Sequence, residues 1–205
     1  MKLKDFRKKM GKGIFSTAEA QLVAFPENPA IVNLQLHQWK KNNDIIALKR
    51  GLFMFSDYSA SGHEAEIARS LYCPCYFSLQ QALSFYGIIP EATFTHTLVT
   101  TKATRHFKTP VGNFSYRKIK REAFTGFDAK TLMAEKEKAL VDYFYFYGKD
   151  FKTSDSFWEE SRLEAGATKV NFKKVFRYAK LFNSKKLETL LHNFSLYAKS
   201  HQTYQ

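Results

Sequence analysis

From Asn28 onward the apolar and polar positions separate cleanly. Ile31, Val32, Leu36 and Trp39 fall on one side of a helical wheel, Asn33, His37, Lys40 and Lys41 gather on the other, and Leu34 lies at the edge. Asn28 offers a side-chain oxygen to the free amides of a first turn, and Pro29 sits where a missing N–H costs nothing. A helix is therefore predicted to open at Asn28-Pro29 and run to Asn43. Two short apolar runs follow, Ile45-Ile46 and Leu52-Phe53, around Lys49-Arg50-Gly51, the pattern of a hairpin with a basic turn. Upstream, Ser16-Thr17-Ala18-Glu19 has the hydroxyl-to-carboxylate spacing of a capping box and predicts a helix over Thr17 to Ala24. A first helix, Leu3 to Met10, precedes it, and Gly11-Lys12-Gly13 breaks the two apart where glycine tolerates positive φ.

Three helices and a hairpin in so short a stretch predict a winged helix-turn-helix. That module holds duplex DNA with one helix in the major groove. The exposed residue types suit such a groove, because Asn pairs bidentately with adenine, Lys reaches guanine or phosphate, and His donates or accepts. The candidate DNA-binding residues are Asn33, His37, Lys40 and Lys41 on the helix and Lys49 and Arg50 in the turn, where the cations are expected to project along the phosphate backbone. The plainer alternative is the solvated face of an ordinary helix.

Residues 1–58 form the predicted DNA-binding domain, and Ser56-Asp57-Tyr58-Ser59-Ala60-Ser61-Gly62 has the small, polar composition of a boundary. A second domain is expected over 63–205, mixed α/β to about residue 150 and helical to Ser200. It opens with a helix from His63 to Leu71, continues with a helix from Ser78, and then turns to strands near Thr93–Thr100, Arg105–Lys108 and Phe114–Lys118. Pro110-Val111-Gly112-Asn113 closes the hairpin between the last two strands. A helix from about Ala134 to Tyr147 follows, its Glu135-Lys136-Glu137-Lys138 turn expected to carry ordinary surface ion pairs. The last part, from Phe157, reads as helical, with Ser184 capping a helix built on Leu187, Leu190, Leu191, Phe194 and Tyr197. The fold class is thus α/β (α+β).

Charge adds a possible partner to this outline. The formal net charge is +13, and its distribution decides what that means. Residues 1–58 hold ten cations against five acids, or +5, and the other 22 cations against 14 acids leave +8 beyond them. Two stretches contain no acid. One, between Glu91 and Glu122, carries Lys102, Arg105, Lys108, Arg117, Lys118, Lys120 and Arg121. The other, between Glu164 and Glu188, carries Lys169, Lys173, Lys174, Arg177, Lys180, Lys185 and Lys186. In the second, Phe172, Val175, Phe176, Ala179 and Phe182 share one helical face and Lys173, Lys174, Arg177 and Lys180 the other. Lys102, Arg105, Lys108, Arg117, Lys118, Lys173, Lys174, Arg177 and Lys180 therefore make a candidate second basic surface for DNA, RNA or protein, set against a face charged only for solubility.

Catalytic and cofactor chemistry finds little support. His63, His96, His106 and His192 lie in different elements without ligand spacing, and no nucleophile elbow, Cys-His signature or phosphate loop occurs. Asp128-Ala129-Lys130 after Glu122 is the only nuclease-like fragment, too short to carry a site. No catalytic residue, metal or cofactor is assigned. Cys73 and Cys75 flank one proline, too close for an ordinary disulfide, and are expected to pack a strand. No stretch is apolar enough to span a bilayer, and Met1-Lys2-Leu3-Lys4 leads into a charged helix, so a cytoplasmic protein without a membrane partner is expected.

The order of three helices and a Lys-Arg-Gly-Leu-Phe wing resembles the N-terminal domain of AbiEi-type antitoxins of type IV toxin-antitoxin (abortive infection) systems. The resemblance continues through Cys75 to Pro90, similar to the family's strand, serine-capped helix and glycine stop, and through Phe107 to Lys120, similar to its hairpin. Ala134 to Asp142, with Glu137-Lys138-Ala139-Leu140, resembles its most recognisable helix. These motifs span about residue 10 to residue 195. The resemblance implies a repressor that binds inverted repeats in its own promoter, as double-stranded DNA, and an antitoxin domain that counteracts a cognate nucleotidyltransferase-like toxin without a stable complex. A stand-alone winged-helix regulator and an RNA-binding module are the other classes left open.

Overall fold

The computed structural model describes residues 1–148, 163 and 170–202. Across them the chain is mixed α/β, with eight α-helices, one 3-10 turn and two small sheets of three and four strands. Contacts divide it into two compact units, Met1–Cys73 with Phe107–Asn113, and Pro74–His106 with Phe114–Gln205.

The first unit runs α1 (Leu3–Met10), β1 (Ile14–Ser16), α2 (Thr17–Ala24), α3 (Pro29–Lys41), β2 (Ile45–Lys49), β3 (Leu52–Phe55) and α4 (Glu64–Leu71). Local chemistry sets the helix ends. Gly11 stops α1 in the left-handed region at φ 65°, and its amide donates to the Arg7 carbonyl. Ser16 and Glu19 form a full capping box at α2, and the Asn28 side chain accepts from the Ala30 amide at 2.8 Å at α3. Beneath the helices, Phe6, Phe15, Val32, Leu36, Ile45 and Phe55 make a buried core, with the Phe6 ring 5.0 Å from Trp39 and 5.3 Å from Phe15.

The strand β1 went unread in the sequence. At three residues it is too short to show an alternation, yet it completes a sheet in the order β1-β3-β2, both pairings antiparallel. Its register comes from tertiary pairing, Phe15 with Phe53 and Ile14 with Met54. A register shift between Ala47 and Lys49 marks a bulge that turns Leu48 into the core, where it is buried. The Gly51 carbonyl accepts from the Thr17 amide at 3.0 Å and ties the hairpin tip to the start of α2.

One packing expectation fails on α3. Ile31 is exposed, because Val32, Leu36 and the half-buried Trp39 already fill the arc that faces the core.

The second unit is built on β4 (Cys75–Phe77), α5 (Leu79–Phe85), β5 (Thr95–Thr100), most of β7 (Gly112–Lys118), α6 (Lys136–Tyr147), α7 (Phe172–Lys180) and α8 (Lys185–Gln202), while β6 (Arg105–Thr109) from Phe107 on and the first two residues of β7 belong to the Phe107–Asn113 stretch of the first unit. The sheet order is β4-β5-β7-β6. Helix α6 forms the middle of the unit, packed against α5, α7 and α8. The expected helical stretch from Phe157 enters the described residues only as α7 and α8; its earlier part, and Lys169, lie outside them.

The start of α6 corrects the sequence reading. Lys138 is fully buried rather than exposed, and its ammonium pairs with the equally buried Asp142 one turn on. Asp142 Oδ2 also accepts from the Tyr76 hydroxyl at 2.8 Å and from the Ser78 hydroxyl at 2.9 Å, while Lys138 Nζ donates to the Tyr76 oxygen at 2.8 Å. Ser78, expected to cap α5, instead spends its hydroxyl on this carboxylate. Burial pushes the Asp142 carboxyl up and the Lys138 ammonium down, each opposed by the other's charge. Glu137 is buried too and accepts from the Asn171 amide at 3.1 Å. The apolar setting comes from β4 and from Phe182 after α7, far away in sequence, so no local pattern announces it. Cys73 departs similarly, exposed where strand packing was expected, whereas Cys75 is buried in β4.

Candidate nucleic-acid interface

The first unit gathers sequence-nominated residues around one feature, an open cleft of about 560 Å³ between α3 and the β2–β3 hairpin. Asn33, His37 and Lys40 line it from the helix, and Lys49 and Arg50 from the hairpin; Thr17 and Gly51 stand at the end where the hairpin tip meets α2. Asn33, His37 and Lys40 lie within two turns on one side of α3, which is why a single helix face presents all three. None of the lining residues is acidic. The Asn33 side-chain oxygen accepts from the Gln21 side-chain amide of α2 at 3.2 Å. Lys41 is exposed but stands outside the cleft lining.

The two hairpin cations differ. Arg50 is exposed at the turn. Lys49, expected to project outward, is half-buried instead: its ammonium donates to the Leu71 carbonyl at the end of α4 and lies 5.6 Å from the Phe107 ring. An ammonium so engaged contributes positive potential to the cleft but not a freely reaching donor. Lys40 and Lys41 also complement the negative end of the α3 dipole, a local stabilising reason for their presence that needs no ligand.

The residues nominated for a second basic surface differ in their surroundings. Lys102, Arg105, Lys108 and Lys118 are exposed around β6 and β7. Arg117, by contrast, is half-buried, its guanidinium 5.8 Å from the Phe146 ring and 5.6 Å from that of Tyr147. On α7, Lys174 pairs with Glu135 at 2.9 Å, and that carboxylate, held below its usual range chiefly by Lys174, also accepts from the Tyr178 hydroxyl. Lys120 donates to the Phe182 carbonyl at 2.7 Å. Lys173, Arg177 and Lys180 remain exposed along α7, as the helical pattern indicated.

No family model matches the chain, and no curated protein matches it closely enough to count as a relative.

Asp128 Oδ1 accepts from the Lys130 amide at 3.0 Å, the Thr131 amide at 2.7 Å and the Thr131 hydroxyl at 2.8 Å, which makes it the centre of its own turn. Those amides and the hydroxyl hold its carboxyl below the ordinary aspartate range. Among the described residues, no three His, Cys, Asp or Glu side chains converge as a metal site, and no helix is long and apolar enough to cross a membrane. Sequence reasoning missed Gln21 and Thr17 as neighbours of the cleft. The signal for Thr17 was faint, a hydroxyl at a helix start already explained by capping.

Proposed function

We propose that the protein is a DNA-binding transcriptional regulator whose first unit is a winged helix-turn-helix. The observation that carries this reading is the acid-free cleft in which Asn33, His37 and Lys40 of α3 face Lys49 and Arg50 of the hairpin. The element order α-β-α-α-β-β and the sheet order β1-β3-β2 support it, since in such a module the hairpin flanks the helix that enters the major groove. Helix α3 would offer amide, imidazole and ammonium groups to base edges, while Arg50 grips phosphate and Lys49 adds field from a fixed position.

The resemblance to AbiEi-type antitoxins extends the proposal. The regulator would repress its own operon through promoter inverted repeats, and the second unit would counteract a nucleotidyltransferase-like toxin. That part rests on the motif order from about residue 10 to residue 195 and not on the cleft.

A mobility-shift titration tests the core of the reading, with the chain's own upstream region beside an unrelated duplex of equal length across a salt series. Expected is preferential binding to the upstream duplex that survives moderate salt and weakens in Arg50→Ala. Equal, salt-labile binding to both duplexes would sink the repressor assignment.

A further inference from the structure

The cleft accounts for one side of α3. The outermost line of the helix shares only His37 with the cleft and consists of Ala30, Leu34, His37 and Lys41, spaced by four, three and four residues and therefore stacked along one ridge. All four are exposed. Its C-terminal half is cationic and polar; its N-terminal half is apolar. Leu34 is 59% exposed, and Ile31, one turn earlier, is 48% exposed. A lone surface leucine is unremarkable in itself. Here, however, it sits in the middle of a helix without a single acid, one residue from Asn33 and one turn from His37.

Resting on the DNA-binding reading above, we propose that Leu34 is a specificity-determining residue that packs on the C5-methyl group of a thymine in the major groove. The thymine methyl is the apolar group that the floor of that groove offers, so a leucine flanked by hydrogen-bonding side chains has one natural complement there. Charge favours the same occupant. Lys41 ends the ridge, and Lys40 and Arg50 line the cleft together with its His37, which draws a polyanion toward it. A second copy of this chain would instead bring the lysines of both ridges together. With Asn33 held by Gln21 at the adjoining position, the ridge and the cleft together favour an adenine step next to a thymine step.

The test starts from a random-sequence duplex library from which the full chain selects its preferred site. Each thymine of the selected site is then replaced by deoxyuridine, which removes the methyl alone, and affinity is measured for the wild type and Leu34→Ala. At one thymine, the wild type is expected to lose about fourfold in affinity, the equivalent of one buried methyl group. Leu34→Ala is expected to lose a similar factor on the thymine duplex and nothing further on the deoxyuridine duplex. If no sequence emerges from selection, the DNA-binding reading fails and the inference with it. If a site emerges but no deoxyuridine replacement matters, or if wild type and Leu34→Ala lose equally at every one, the inference alone is overturned. A change in oligomeric state in Leu34→Ala by analytical ultracentrifugation would also overturn it, assigning the leucine to self-association. Because Leu34 is exposed, the variant is expected to keep the wild-type circular dichroism spectrum and melting temperature.

Discussion

Two lysines on helices, Lys40 on α3 and Lys138 on α6, show how differently the two units use positive charge. Lys40 stands exposed at an acid-free cleft. Lys138 is sealed inside the second unit against Asp142, Tyr76 and the Phe182 ring. The same contrast extends to their neighbours, since Arg50 is exposed whereas Arg117 lies against two aromatic rings and Lys174 pairs with Glu135. Lys40 and Arg50 of the first unit are exposed at the cleft, whereas Arg7, Lys12 and Lys49 there, like Arg117 and Lys174 of the second unit, are answered by neighbours within their own unit. Net charge by region, +5 for residues 1–58 and +8 beyond them, conceals this, because a count of cations carries no information about what each one touches.

The comparison can be broken most forcefully at the buried pair. Asp142→Ala leaves the Lys138 ammonium, two hydroxyls and an apolar cavity without their acceptor, and is expected to cost about 3–5 kcal/mol of stability in urea unfolding. Replacing both partners by apolar residues, Lys138→Met with Asp142→Leu, should recover most of that loss, because the paired charges are themselves opposed by desolvation. A loss under about 1 kcal/mol in the single variant would show that water reaches the pair and that the contrast with Lys40 is overstated.

Next in size is the salt dependence of duplex binding. If Lys40 and Arg50 each neutralise a phosphate, Lys40→Ala/Arg50→Ala should flatten the slope of log affinity against log salt by about 1.8, near 0.9 for each contact removed. Arg117→Ala should leave the slope unchanged. Equal slopes for all three proteins would erase the distinction between available and answered charge.

A smaller effect is expected at the start of α2. Ser16→Ala removes a hydroxyl that accepts from the Glu19 amide, and should cost about 1 kcal/mol. The Glu19 half of the box titrates. Its carboxyl is pulled down to about 2, first by the Lys12 ammonium and then by the Ser16 backbone amide. With the folded value below the ordinary 4.5, its contribution is fully present above that value and is lost as pH falls through about 2. Thermal melts from pH 6 downward should therefore show an acid limb that is shallower in Glu19→Gln.

The smallest effect concerns Lys174. Its ion pair with Glu135 is half exposed, so Lys174→Ala should change duplex affinity by under about twofold and leave the fold intact. A larger loss of affinity would return α7 to the list of nucleic-acid surfaces.

The first unit was legible because its signals are local. The capping box at Ser16, Asn28-Pro29 before α3 and the glycine after α1 act within a turn of the residues they organise, setting where α2 and α3 begin and where α1 ends. The cleft residues of α3 were legible for the same reason, as one face of one helix. Lys49 was not, because the carbonyl that holds it belongs to Leu71, 22 residues away. Ile31 was misassigned because periodicity reports which residues share a side and not how wide an arc the core will cover.

Amino-acid order alone therefore determined the helices, the hairpin, the basic balance and the polar face of α3, each a matter of near-neighbour geometry. Tertiary structure decided which charges are free to act. It added β1 to complete a sheet, turned Ser78 from a cap into a hydrogen-bond donor and buried Lys138 beside Asp142. Each of these depends on groups brought together from distant parts of the chain, and the electrostatic worth of a side chain is set by the dielectric and the partners that such packing creates.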